Sequence, residues 1–179
     1  MKNAFFLSLL PLLLNIQLIS AQKSTIETIG DVGLYSIPTI ALASTLILKD
    51  GKGTWQFAKS FLFNQALTYG LKVTINKPRP YNNGDNAFPS GHTSTTFQGA
   101  SFIHKRYGFK YSIPAYAFAG FTAFSRIDAQ RHDGWDILAG AIIGIGSTLL
   151  FTTEYQKEHM ELSFNSSEKN YLLGFKYKF

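Results

Sequence analysis

The chain has 179 residues, 45% hydrophobic and 15% aromatic, which suits one domain with a substantial core. Its net charge of +6 and pI of about 9.5 favour an anionic substrate or an anionic membrane surface. Nucleic acid is a poorer candidate, because the sequence has no long basic run and no motif of a nucleic-acid-binding fold. The absence of cysteine excludes disulfides, zinc–thiolate sites and thiol nucleophiles.

Residues 1–21 have the pattern of a secretory signal peptide. Lys2 supplies a positive start, residues 5–19 are largely apolar, and Ser20-Ala21 forms a small-residue cleavage site. An uncleaved membrane anchor is the alternative interpretation. Both place the rest of the chain outside the cytoplasm, and we predict the bacterial envelope and its periplasm, with membrane association left open.

The main domain is predicted to span residues 22–155 and to be helical. The polar segment 22–31 predicts a short helix, and the almost continuously apolar segment 34–48 predicts a buried one. Further helices are predicted, in chain order, at 55–73, 90–106, 113–124 and 135–151. Turns or loops separate the helices at 49–53, 76–87, 107–108 and 127–134.

The internal apolar runs of about 12 to 15 residues are shorter than the ~20 that cross a bilayer. They favour an all-α, compact bundle of about five or six helices. The mean hydropathy of 0.00 agrees with this interpretation. A membrane-embedded bundle with longer, tilted helices is the alternative.

Residues 156–179 form a tail of different character. Apolar and polar residues alternate over 162–164 and again over 173–179, which is the period of a β-strand. The residues between them, 165–170, are typical of a turn. We therefore predict a C-terminal β-hairpin that caps the helical bundle.

The most informative stretch is Pro89-Ser90-Gly91-His92, at the start of a predicted helix. Ser90 suits the N-cap, and Gly91 lets the backbone come close to a ligand. Unpaired N–H groups at a helix start attract an anion, beside which His92 would stand as a proton donor. Alone, the stretch is equally typical of a capped helix with a surface histidine.

Two further blocks flank this stretch. Upstream, Lys72 is followed after six residues by Arg79-Pro80; downstream, Ser125-Arg126 is followed by His132 and then by Asp136. Each block has an ordinary structural interpretation, such as a solvated charge. Coincidence does not explain the three blocks together, because an average residue type occurs at only about 5% of positions and all these positions match in order.

Together the three blocks resemble the signature of the type 2 phosphatidic acid phosphatase superfamily. That superfamily also includes bacterial nonspecific acid phosphatases and vanadium-dependent haloperoxidases. All three blocks match without a substitution, between residues 72 and 136, while the first 21 residues and the tail fall outside the resemblance. It implies a helical core and a phosphatase that hydrolyses phosphate monoesters or lipid phosphates.

The residue types of the blocks suit a phosphate dianion. Three cationic side chains would bind and neutralise it: Lys72, Arg79 and Arg126. Arginine's planar fork can hold two phosphate oxygens at once. Ser90 and Gly91 would add hydrogen-bond donors at the helix start.

The resemblance implies that His132 attacks phosphorus and forms a phosphohistidine, and that His92 protonates the leaving oxygen and later activates water. Asp133 is predicted to cap the last helix, so that Asp136 in its first turn can orient the His132 ring. No metal or other cofactor is needed, because the cations neutralise the charge. The sequence also lacks a carboxylate cluster that would hold a metal.

The substrate stays open at this point between a lipid phosphate and a small soluble ester, with export, basic charge and aromatic content favouring lipid. A vanadate-dependent haloperoxidase and a non-catalytic phosphate- or lipid-binding envelope protein are the alternatives. Lys77, Asp85 and Arg131 lie in loops near the predicted site and could tune substrate choice.

Overall fold

The computed structural model describes residues 24–82, 84–155, 160–167 and 170–177. Within them the chain forms five α-helices: α1 (Thr25–Ile47), α2 (Gly51–Ile75), α3 (Gly91–Tyr107), α4 (Phe109–Asp128) and α5 (Gly134–Phe151). A short 3₁₀ turn lies at Pro80–Asn82. The prediction of an all-α domain is confirmed, and the predicted signal peptide, 1–21, lies outside the described residues.

Two strands follow the helices. β1 (Met160–Ser167) and β2 (Asn170–Tyr177) pair antiparallel, with Met160 opposite Tyr177 and Ser167 opposite Asn170. The side chains through which this tail would contact the helices lie outside the described residues. The capping of the bundle by a hairpin therefore stays a prediction.

α1 is longer than predicted. Segments 22–31 and 34–48, predicted as separate helices, belong to one helix, whose N-cap Ser24 accepts a hydrogen bond from the Glu27 N–H at 3.0 Å. They join because Gly30 and Gly33, at the junction, lie against α4 within one continuous helix, and the Glu27 and Asp31 side chains of the first part face the protein. α4 also begins earlier than predicted, directly after Gly108, whose φ of +108° ends α3.

The interior of the bundle contains many polar side chains beside two small apolar clusters, one at Phe102 and one at Ile37. Hydrogen bonds between side chains of neighbouring helices run through it: Thr68 to Ser94, Gln98 to Ser60 and Ser101 to Thr148. Large apolar side chains lie on the outside instead, and Ile47, Trp135 and Leu150 are 79%, 73% and 68% exposed. In a water-soluble domain, side chains of this kind are more often buried.

The prediction that the apolar runs 34–48 and 135–151 form buried core helices is therefore wrong. Only 28% of the most apolar stretch of α1, and 28% of that of α5, is buried in the protein. Both helices are long and apolar enough to cross a membrane. The apolar pattern alone could not separate a helix buried in the bundle from one with an apolar face on its surface.

Glycines bring helices close together at two positions that shape the site. A Cβ atom at Gly30 of α1 would collide with Ser125 of α4. A Cβ atom at Gly140 of α5 would lie 2.6 Å from the Ser90 carbonyl oxygen, at the start of α3. α5 therefore packs closely against the start of α3, and α1 lies equally close to α4.

Candidate active site

The three sequence blocks meet at one end of the bundle because helices consecutive in the chain run in opposite directions. The last turns of α2 and α4 carry Lys72 and Arg126, the start of α3 carries the second block, and the start of α5 carries the rest of the third block. A cleft of about 420 Å³ opens there. Six predicted site residues line it: Lys72, Arg79, Gly91, His92, Arg126 and His132.

The other two predicted site residues, Ser90 and Asp136, do not line the cleft and are fully buried. Ser90 caps α3 as predicted, since its Oγ accepts from the Thr93 N–H at 3.4 Å and from Thr93 Oγ1 at 3.0 Å. Its role in phosphate binding stays a prediction. Asp136 lies behind His132.

His132 is 6% exposed, and its Nδ1 lies 3.5 Å from Asp136 Oδ2. Within the described residues that nitrogen has no hydrogen-bond partner. Burial and the charges of Lys72 and Arg79 lower the pKa of His132 to about 4, against the opposite effect of Asp136. The imidazole is therefore neutral near pH 7, which is the form a nucleophile requires.

Asp136 is held by two contacts besides its approach to His132. Its Oδ2 accepts from the Asp133 N–H at 3.0 Å, and its Oδ1 accepts from Lys77 Nζ at 2.8 Å. Asp133 accepts in turn from the N–H groups of Trp135 and Asp136, so the predicted helix cap is confirmed. Lys77 thus contacts these carboxylates and is absent from the cleft lining, as is Asp85.

Two carboxylates of α1, Asp31 and Glu27, also line the cleft and were missed by sequence reasoning. Asp31 Oδ1 lies 2.9 Å from His92 Nε2 and 2.9 Å from Arg126 Nη1. The Glu27 carbonyl accepts from Arg126 Nη2 at 2.6 Å, and Glu27 Oε1 lies 3.3 Å from Arg131 Nε. The signal available was the i, i+4 spacing of these acids, which places them on one helix face.

The Arg79 guanidinium has a hydrogen-bond donor that is available for an anion. It lines the cleft, and its buried Nε has no hydrogen-bond partner among the described residues. A buried, unsatisfied guanidinium nitrogen is costly unless an anion completes it. Lys72 donates to the Asn86 carbonyl at 2.8 Å and is a second cation that lines the same cleft.

The cleft carries four cations, Lys72, Arg79, Arg126 and Arg131, against two carboxylates. Such a surplus of positive charge attracts a phosphate dianion. In the described part of the chain, no group of three or more His, Asp or Glu side chains could hold a metal ion.

Comparison with known proteins agrees with this geometry. Residues 81–160 match the PAP2 superfamily. The lipid A 4'-phosphatase of Helicobacter pylori is 32% identical over 170 residues, which cover 86% of this chain and 85% of that protein. The chain belongs to the PAP2 superfamily. This membership confirms the predicted enzyme class, a phosphoric ester hydrolase that works without a metal, in a family whose general mechanism passes through a phosphohistidine.

Two other relatives support the assignment. A lipid A 1-phosphatase of Helicobacter pylori is 33% identical over 127 residues, covering 65% of this chain and 66% of that protein. The crystal structure of Aquifex aeolicus LpxE superposes with a TM-score of 0.62 over 73% of this chain and 87% of that chain, at 21% identity. The superposition shows a shared fold, and the named relatives favour a phosphatase over a haloperoxidase or a binding protein.

Proposed function

We propose that the protein removes a phosphate group from lipid A, or from a lipid phosphate of the same chemistry, in the bacterial envelope. The observation that carries the proposal is a cation-rich cleft containing a buried neutral histidine, in a chain similar along most of its length to a lipid A 4'-phosphatase. The positions of the residues support the following role for each in the reaction.

In the first step, a neutral nitrogen of His132 attacks phosphorus. A P–N bond forms, the P–O bond to the lipid breaks, and His92 gives a proton to the departing oxygen. Lys72, Arg79 and Arg126 stabilise the charge on the phosphoryl oxygens. In the second step, His92 takes a proton from water, the water oxygen attacks phosphorus, and the P–N bond breaks to release inorganic phosphate.

An apolar groove beside the cleft supports a lipid substrate. The groove, about 780 Å³ in volume, lies between α1 and α2 and shares Leu34 and Tyr35 with the cleft. Its other walls include Pro38, Phe57 and Phe61. A phosphate in the cleft would thus place an attached acyl chain next to apolar side chains, where burial is favourable.

The polar side chains of the interior and the apolar side chains of the exterior support membrane association. Exposed apolar surface of this extent is typical of contact with lipid, and α1 and α5 are long enough to span the hydrocarbon layer. The signal-like residues 1–21 support the periplasmic side. In this arrangement the enzyme would meet its lipid substrate in the plane of the membrane.

The test is phosphate release by the protein purified in detergent with excess chelator, from lipid A and from p-nitrophenyl phosphate. We expect release from lipid A, detected as loss of one phosphate by mass spectrometry, with an acid limb near pH 4 from the His132 pKa of about 4. His132→Ala should lower the rate on the order of 10³-fold or more with unchanged thermal stability.

His104→Ala is the matched control, because His104 lies outside the cleft and contacts Tyr116 and Phe109 instead. It should retain wild-type rates. Absence of release from lipid A by the wild-type protein, or full activity of His132→Ala, would contradict the proposal.

A further inference from the structure

Lys77 stands between two residues of the first block but contacts residues of the third. Its Nζ donates to Asp133 Oδ2 and, at 2.8 Å, to Asp136 Oδ1. The Lys77 side chain is 30% exposed, whereas that of Asp136 is fully buried. Its ammonium therefore neutralises Asp136, whose carboxylate lies next to the proposed nucleophile.

The backbone of Lys77 also joins the blocks. Its carbonyl oxygen accepts from the Ala87 N–H at 2.8 Å, just before the second block. The Ser90 N–H donates to the Asp136 carbonyl at 2.9 Å. The loop that carries Arg79, the start of α3 and the start of α5 are thus connected through Lys77 and Asp136.

The contacts of Asp136 explain how Lys77 can influence the proposed nucleophile, His132. Its Oδ1 is taken by Lys77, and its Oδ2 accepts from the Asp133 N–H and lies 3.5 Å from His132 Nδ1. A carboxylate held at both oxygens has a single orientation, and it can fix the imidazole only in that orientation. Without Lys77 the buried carboxylate would lose its charge partner.

We propose that Lys77 is a positioning residue, whose side chain orients Asp136 behind His132. The inference rests on the proposed function of His132 as nucleophile. It gives Lys77 a role other than the predicted tuning of substrate choice, in keeping with its absence from the cleft lining. Its removal should impair the chemical step and leave phosphate binding nearly unchanged.

The pH dependence gives a second, independent consequence. The charged groups that act on His132 are Lys72 of α2, Arg79 of the loop and Asp136 of α5, and Lys77 acts on it through Asp136. Hydrogen bonds with Asp133 and Asp136 outweigh burial and raise the pKa of Lys77, so it stays charged at neutral pH. Removing this positive charge should raise the pKa of His132.

The experiment compares Lys77→Met with the conservative Lys77→Arg and with Lys105→Met, which removes an exposed lysine outside the cleft. Lys77→Met should lower kcat on the order of 10- to 100-fold, with the inhibition constant of inorganic phosphate changed less than about twofold. Its acid limb should move up by about one pH unit. Lys77→Arg should recover most of the rate, and Lys105→Met should match wild type.

Weaker phosphate inhibition in proportion to the lost activity would overturn the inference, because Lys77 would then bind substrate. An unchanged rate and acid limb would overturn it as well. If Lys77→Met does not fold, Lys77→Gln carries the same comparison.

A histidine NMR titration separates this inference from the proposed function, since it needs no substrate. The pKa of His132 should rise in Lys77→Met and not in Lys105→Met. A rise in an inactive protein would support the positioning role while the proposed function fails, and no rise in an active one would overturn the positioning role alone.

Discussion

The two ends of the helical bundle both bury charge, but they differ in how completely the charged side chains are paired. At the end away from the cleft, Arg106 donates to both carboxylate oxygens of Asp50 at 2.7 Å. Tyr107 and the Gly53 N–H donate to the same carboxylate, and Arg106 also reaches the Thr153 carbonyl. The side chains of Arg106 and Asp50 are 0% and 2% exposed.

At the cleft end the charges are unbalanced and partly unpaired. Arg79 Nε and His132 Nδ1 are buried without hydrogen-bond partners among the described residues, and cations outnumber carboxylates. A saturated buried network stabilises one structure, whereas an unsaturated, cation-rich one is suited to binding an anion. The comparison therefore predicts stability effects at one end and catalytic effects at the other.

The largest loss of stability is expected from removing the buried Arg106 side chain, which pairs with Asp50. Arg106→Met leaves the buried Asp50 carboxylate without its main partner, which should cost about 3–5 kcal/mol. Thermal unfolding in detergent measures the loss. Phosphate release by the surviving folded protein should stay close to wild type, and a specific loss of activity without a loss of stability would contradict the division of roles.

The stability contributed by the Arg106–Asp50 pair depends on pH. Burial alone would raise the pKa of Asp50, but hydrogen bonds from Arg106, Gly53 and Tyr107 outweigh it and hold the pKa below its ordinary value of 3.8. The stabilisation is therefore complete above that value and is lost as pH falls through the lower pKa of the folded state. Arg106→Met should lack this acid-dependent part of the unfolding curve.

A smaller effect, on catalysis, is expected from Asp31→Asn at the cleft end. The substitution removes the charge shared by His92 and Arg126, so proton donation by His92 should suffer. We expect kcat/KM to fall on the order of 10-fold for an alkyl phosphate and less for p-nitrophenyl phosphate, whose leaving group needs no proton. Glu27→Gln is the matched control, one helical turn away.

Equal losses of kcat/KM on both substrates in Asp31→Asn would contradict a role in proton transfer. A larger loss in Glu27→Gln than in Asp31→Asn would show that the Arg131 contact matters more than the His92 contact.

The smallest effect is expected at an exposed ion pair. Lys105 Nζ lies 3.2 Å from Glu154 Oε1, and both side chains are more than one-third exposed. Lys105→Met should therefore change the free energy of unfolding by less than about 1 kcal/mol. A change as large as that of Arg106→Met would show that burial does not separate the two kinds of pair.

Local patterns in the chain were enough to predict much of the fold and most of the cleft lining. Ser90 and Asp133 cap helices through bonds to N–H groups two or three residues away, and Gly108 ends α3 by its own backbone angle. Such features depend on neighbours in sequence, so the sequence reveals them directly. The six cleft-lining residues predicted from the three blocks were found for a related reason, since the signature is itself a sequence pattern.

Only the folded chain shows the partners of Asp31 and Lys77. Asp31 meets Arg126 across 95 positions, and Lys77 meets Asp136 across 59. The Asp31–Arg126 contact depends on α1 lying against α4 at Gly30. The Lys77–Asp136 contact depends on the loop after α2 lying next to the start of α5. Helix packing in three dimensions creates these contacts, whereas apolar periodicity reports only which face of a helix avoids water.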